Sequence, residues 1–146
     1  MACWDWNGHR IGWTRMGEVT SPVAVLLIHG FGANTDHWRF NQPVLAEAAP
    51  TYAIDLLGFG TSDQPKARLK DEQETADSVH YGFDLWGKQV ADFCREVIDQ
   101  PVILVGNSIG GGVALRAAQF LEESPQSSPC RDVVLIDCAQ RLMDDK

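Results

Sequence analysis

No stretch of this chain is apolar for long. The longest hydrophobic run, PVAVLLI from Pro22 to Ile28, has seven residues, against the roughly 20 that a membrane-spanning helix needs. The N-terminal segment MACWDWNGHR has no basic stretch leading into an apolar core, so it does not read as a leader, and the chain is expected to be cytoplasmic. Positive charge is scarce: 12 Lys and Arg stand against 20 Asp and Glu, for a net charge of -8. The basic residues are scattered singly, which argues against a nucleic-acid footprint or a patch for anionic membranes; the acidity serves solubility. The cysteines at Cys3, Cys94, Cys130 and Cys138 form no CxxC pair, and the last two bracket a strand-like run that would hold them apart, so reduced, structural thiols are expected. No His or Cys pair sits at ligand separation with partners nearby, and neither a metal nor a cofactor is expected. Repeats and low-complexity tracts are absent. Histidine is absent too beyond His80: all four, His9, His29, His37 and His80, lie in the first part of the chain.

What is there suits one domain, since 146 residues at 45% hydrophobic content can enclose a single core. CWDWNGHRIGWTR reads as two short strands joined at Asn7-Gly8, a hairpin signal. PVAVLLIH and TYAIDL read as the next strands, separated by a helix from about Trp38 to Ala48. The polar segment GFGTSDQPKARLKDEQETADSVHYG has no clear period and reads as a surface excursion. A helix is expected from about Asp84 to Ile98, with Leu85, Trp86, Val90, Phe93 and Val97 on one apolar face. Pro101 separates it from the strand VILV. A helix from about Ile109 to Leu121, the loop EESPQSSPCR and the strand DVVLID follow. Val-, Ile- and Leu-rich strands alternating with helices indicate an α/β fold with a mostly parallel sheet, helices on both faces and an antiparallel hairpin at its start.

Gly106-Asn107-Ser108-Ile109-Gly110 is a GxSxG between an expected strand and an expected helix. A turn tight enough to lift a serine hydroxyl off the end of a sheet strains its backbone and leaves room only for very small residues two positions to either side. The helix beginning just beyond adds amide donors and a positive dipole end, which can stabilise an oxyanion. The plainer reading is a glycine-rich turn in which Ser108 merely caps the helix. Two further segments bear on the choice. LLIHGFGAN places His29-Gly30-Phe31-Gly32 at the end of one strand, and YAIDLLGFGTSD ends the next at Asp55. A dinucleotide-binding reading of AVLLIHGFGANT, with Gly30, Gly32 and the acid Asp55, fails at its third glycine position, which holds Thr35.

Taken together, the hairpin, the HGFG turn, the HWRFN segment, the D-x-x-G-F-G-x-S-D stretch from Asp55 to Asp63 and the elbow at Ser108 resemble the N-terminal half of the α/β-hydrolase superfamily. DLWGKQVADFCREVI running into GNSIGGGVALRAA is more narrowly similar to plant and cyanobacterial hydrolases of the pheophytinase-like kind. GNSIGG is also similar to the elbow of enzymes that hydrolyse carbon–carbon bonds in ring-cleavage products.

The resemblance implies that Ser108 is the nucleophile and that the backbone amides of Phe31 and Ile109 form the oxyanion hole. It implies a structural His29, a His37 and Trp38 packed on the first helix, and an Asp55 that organises the loop after its strand. Asp137 stands where some relatives carry the triad acid, although the commoner placement is one strand later. The chain departs from the family at the base, because the family's order is serine, acid, histidine and no histidine follows Ser108. Residues 1–146 are therefore expected to be the N-terminal part of one hydrolase domain, without the cap and the C-terminal strands and inactive alone. The complete enzyme would cleave an ester or similarly activated carbonyl of a small-molecule substrate through an acyl-enzyme. A carbon–carbon bond hydrolase of the same fold and a catalytically dead binding scaffold remain the alternatives.

Overall fold

The computed structural model describes residues 1–18, 20–69, 71–75 and 77–138. Strand β1 (Ala2–Trp6) turns at Asn7 and Gly8, both with positive φ, into β2 (His9–Met16). After β3 (Ala24–Ile28) come a 3-10 turn at Thr35–Trp38 and a one-turn helix α1 (Gln42–Leu45), then β4 (Thr51–Ile54). The polar excursion folds over itself through the short strands β5 (Lys66–Ala67) and β6 (Ser78–Val79). Helix α2 (Phe83–Phe93) runs on into a π-helical turn at Cys94–Ile98, and β7 (Val102–Asn107), α3 (Ile109–Glu123) and β8 (Cys130–Ile136) complete the order.

Six of these strands form one sheet in the order β1-β2-β4-β3-β7-β8, with β2 antiparallel to both β1 and β4 and with β4, β3, β7 and β8 mutually parallel. Helices cover both faces, as the alternation of elements implies. One face packs Leu26, Ile28, Ile54 and Leu104 against α2 and α3, and the other packs Leu27 and Ala53 against Trp38 of the 3-10 turn. The hairpin is fastened by aromatics: Trp4 and Trp13 meet the fully buried Phe93 edge-on at 5.4 and 5.6 Å, and Trp6 Nε1 donates to Asp92 at 2.9 Å. Burial of a ring such as Phe93 contributes about 3 kcal/mol.

The helix expected from Trp38 to Ala48 is instead the 3-10 turn followed by α1. Its start is pulled tight from outside: Asn34 caps it by accepting from Asp36 N, and Thr35 N donates to Asp55 Oδ1 across the sheet edge at 2.8 Å. Tertiary hydrogen bonds overrule local periodicity there. Strand β8 also begins two residues earlier than DVVLID suggests, at Cys130, with a register shift against β7 between Val102 and Ile103.

Candidate active site

β3 lies between β4 and β7, so the chain leaves it toward one neighbour and returns on the other. Such a switch point opens a crevice at the carboxyl ends of the strands. Ile28 pairs with Gly106, and the loops that follow the two strands therefore emerge side by side. Those loops carry His29-Gly30-Phe31 and Ser108.

Ser108 stands between β7 and α3 with φ 56° and ψ -123°, a conformation that disfavours residues with a side chain. Its side chain makes no capping hydrogen bond to α3, so the plainer reading of the motif is set aside. The turn is held through the backbone: Ser108 N donates to Ile136 O of β8 and Gly111 N donates to Ser108 O, both at 3.0 Å. The flanking glycines are required by close approach. A Cβ on Gly106 would overlap the Gly110 carbonyl, and one on Gly110 would overlap the Ile28 and His29 carbonyls. Opposite the serine, a Cβ on Gly30 would stand 3.1 Å from Ser108 Cβ. Among the described residues no hydrogen bond engages the Phe31 or Ile109 N–H. Two amide donors, one in the HG loop and one directly after Ser108, are thus left over.

His29 is fully buried, and its two ring nitrogens are spoken for. Leu56 N donates to Nε2 at 3.0 Å, which leaves the proton on Nδ1, 2.7 Å from Gly30 O. Burial lowers its pKa below the usual histidine value, the nearby Gly30 carbonyl and Asp55 only partly opposing this, so the ring is a neutral strut between two loops. Asp55 is likewise buried. Its Oδ1 accepts from Thr35 N, its Oδ2 from Thr61 N and Thr61 Oγ1, all at 2.8 Å, and its own carbonyl accepts from Ser62 Oγ and Gln89 Nε2. It ties the 3-10 turn, the loop after β4 and α2 together.

His37 is exposed beside the elbow, with Nε2 3.5 Å from Asn107 Nδ2 and its ring edge-on to Trp38 at 4.8 Å. Sequence reading missed this approach to the residue before Ser108, since nothing in the spacing links positions 37 and 107. Asp137 is exposed, at positive φ, one residue past the carbonyl that anchors Ser108 N. Among the described residues no three His, Cys, Asp or Glu side chains gather as metal ligands, and no helix is long and apolar enough to cross a membrane.

A mostly parallel sheet with helices on both faces, a serine lifted on a strand-to-helix turn and a neighbouring HG loop define a protein of hydrolase-type α/β architecture. The family model for the alpha/beta hydrolase fold matches residues 23–145, and the chain belongs to that family. It is 34% identical over 110 residues to the 1-acylglycerol-3-phosphate O-acyltransferase ABHD5 of Mus musculus, spanning 74% of this chain and 29% of that one. It is 33% identical over 111 residues to the chloroplastic pheophytinase of Arabidopsis thaliana, spanning 63% of this chain and 23% of that one. A meta-cleavage product hydrolase from Pseudomonas fluorescens IP01 superposes with a TM-score of 0.70 over 95% of this chain and 45% of its own length, at 23% identity. The chain thus spans under a third of these curated relatives and less than half of that solved hydrolase.

Proposed function

We propose that Ser108 is the nucleophile of a serine hydrolase and that residues 1–146 are the N-terminal part of its domain. The observation that carries this reading is the strained serine at φ 56° between β7 and α3, its hydroxyl uncommitted to the helix. The hydroxyl attacks the carbonyl of an ester or similarly activated small-molecule substrate. The Phe31 and Ile109 amides donate to the developing oxyanion, helped by the N-terminal end of α3. A histidine takes the hydroxyl proton and passes it to the leaving group, and water then releases the acyl group. Neither His29, whose nitrogens are occupied, nor another of the four histidines bonds the hydroxyl, so in this reading the base belongs to a part of the domain beyond these 146 residues. One of the similar proteins bears a name that points to acyl chemistry at oxygen, an O-acyltransferase, which supports the ester over the carbon–carbon alternative.

The test is turnover of p-nitrophenyl acetate by three polypeptides: this chain, its Ser108→Ala variant and a longer chain that adds a histidine after a later strand. The first two are expected to match, and the third to exceed them by orders of magnitude. A large rate from the 146-residue chain alone would place the base within it. No gain from the longer chain would leave a binding scaffold.

A further inference from the structure

Next to the HG turn, the loop after β4 and the segment leading into α2 enclose a cleft of about 420 Å³, within the usual size of small-molecule sites. Its walls are ring-bearing: Phe31, Phe59, Tyr81 and Trp86 line it. Phe31 meets Phe59 edge-on at 5.4 Å, while Phe59 and Tyr81 lie 5.9 and 6.1 Å from Trp86 in tilted arrangements. The polar tips of the rings are tied elsewhere, since Tyr81 Oη donates to Pro65 O at 2.5 Å and Trp86 Nε1 to Leu57 O at 2.9 Å. Ring faces and edges are what remain for a ligand. Among the described residues no charged side chain lines the cleft, and Gln64 brings its one side-chain amide.

Two placements connect this cleft to the proposed chemistry. Gly30 lies against Ser108, and the next residue, Phe31, carries its ring into the cleft while remaining 75% exposed. On the far wall Gly58, at φ +95°, leaves the space into which Tyr81 packs, for a Cβ there would stand 2.8 Å from the ring. An exposed ring one residue from the glycine that meets Ser108 and a glycine-made seat for another ring form a recess with no charged side chain among its described walls.

We propose that the cleft holds the flat, uncharged ring-bearing portion of the substrate whose carbonyl is presented to Ser108, an inference that rests on the serine hydrolase reading above. Aromatic walls favour a flat ring through offset and edge-on contacts beyond what area alone gives. A charged group would lose its hydration there without a counter-ion.

The experiment is equilibrium dialysis of this chain with three probes of similar size: 2-naphthyl methyl ketone, 2-octanone and 2-naphthoate. The naphthyl ketone is expected to bind at least tenfold tighter than either of the others. Phe31→Ala, whose ring is mostly exposed, and Tyr81→Leu, which keeps the bulk and loses the ring, are each expected to cut that preference at least threefold, with folding checked by circular dichroism. Equal affinities for the three probes, or a preference unchanged in both variants, would overturn the proposal. Labelling of Ser108 by a fluorophosphonate on the longer chain is read separately. A labelled serine with unselective dialysis removes the cleft alone, whereas selective dialysis with an unlabelled serine removes the hydrolase reading and with it the substrate role, leaving a cleft that binds rings.

Discussion

Ser108 keeps a side chain in backbone territory that suits glycine, and the strain is stored in a turn that the two flanking glycines make possible. Comparing Ser108→Gly with Ser108→Ala removes the hydroxyl from both and relieves the backbone in only one. The glycine variant is expected to be more stable by about 1 kcal/mol, read as a higher urea midpoint. Gly106→Ala should act in the opposite direction. Its Cβ would meet backbone of the first turn of α3, which cannot yield as a side chain can, and a loss of about 3 kcal/mol or outright failure to fold is expected. His29 gives the molecule a pH dependence. Burial holds its folded pKa below the unfolded value of about 6.5, so the unfolded chain binds the proton more readily. The stability that the neutral ring supplies is complete above pH 6.5 and drains away as pH falls from there toward the lowered folded pKa. His29→Gln, which cannot titrate, should flatten the urea midpoint measured between pH 7.5 and 5.

Loops at the carboxyl edge of the sheet depend on Asp55 more than on their own sequence. One carboxylate receives Thr35 N from the 3-10 turn and Thr61 N and Oγ1 from the loop after β4, while the neighbouring Leu56 N reaches His29. Asp55→Ala would leave two backbone donors without acceptors, at a cost of about 3 kcal/mol or more. Asparagine restores one oxygen and should recover part of it. Hydrogen exchange is the informative measurement, because the Thr35 and Thr61 amides should lose protection together while those of β3 and β7 retain theirs. The same fastening explains why the expected helix from Trp38 was shortened. Its periodicity was legible, but Thr35 N bonded to a residue twenty positions away was not. The end of α2 was opaque for a related reason: Asp99 N reaches back to Cys94 O at 2.8 Å, and a left-handed Asp99 at φ 52° closes a π turn that leaves no mark in an apolar period.

Across the sheet, covering is uneven. Val134, Leu135 and Ile136 of strand β8 are 46%, 44% and 43% exposed, and among the described residues that strand pairs only with β7. An apolar edge strand is a template for pairing with another chain. A polypeptide of these residues is expected to self-associate with rising concentration in light scattering, and Val134→Lys should reduce it by placing a charge on that edge. A chain that remains monomeric at high concentration and melts in one sharp step would count against the proposal that it is one part of a larger domain.

Periodicity, turn residues and the GxSxG alone determined the α/β class, the opening hairpin, the strands at β3, β4 and β7, and Ser108 as the residue to watch. These are local properties: apolar spacing says which face is buried, and glycine beside serine says where a sharp turn fits. What pairs with what lay beyond it. Only the tertiary structure brought Gly30 against Ser108, bonded Asp55 to the 3-10 turn and to the loop after β4, set His37 beside Asn107 and gathered Phe31, Phe59, Tyr81 and Trp86 around one cleft. The reason is topological. Parallel strands put the ends of distant segments on one edge of the sheet, and contacts across that edge depend on strand order, which no local pattern encodes.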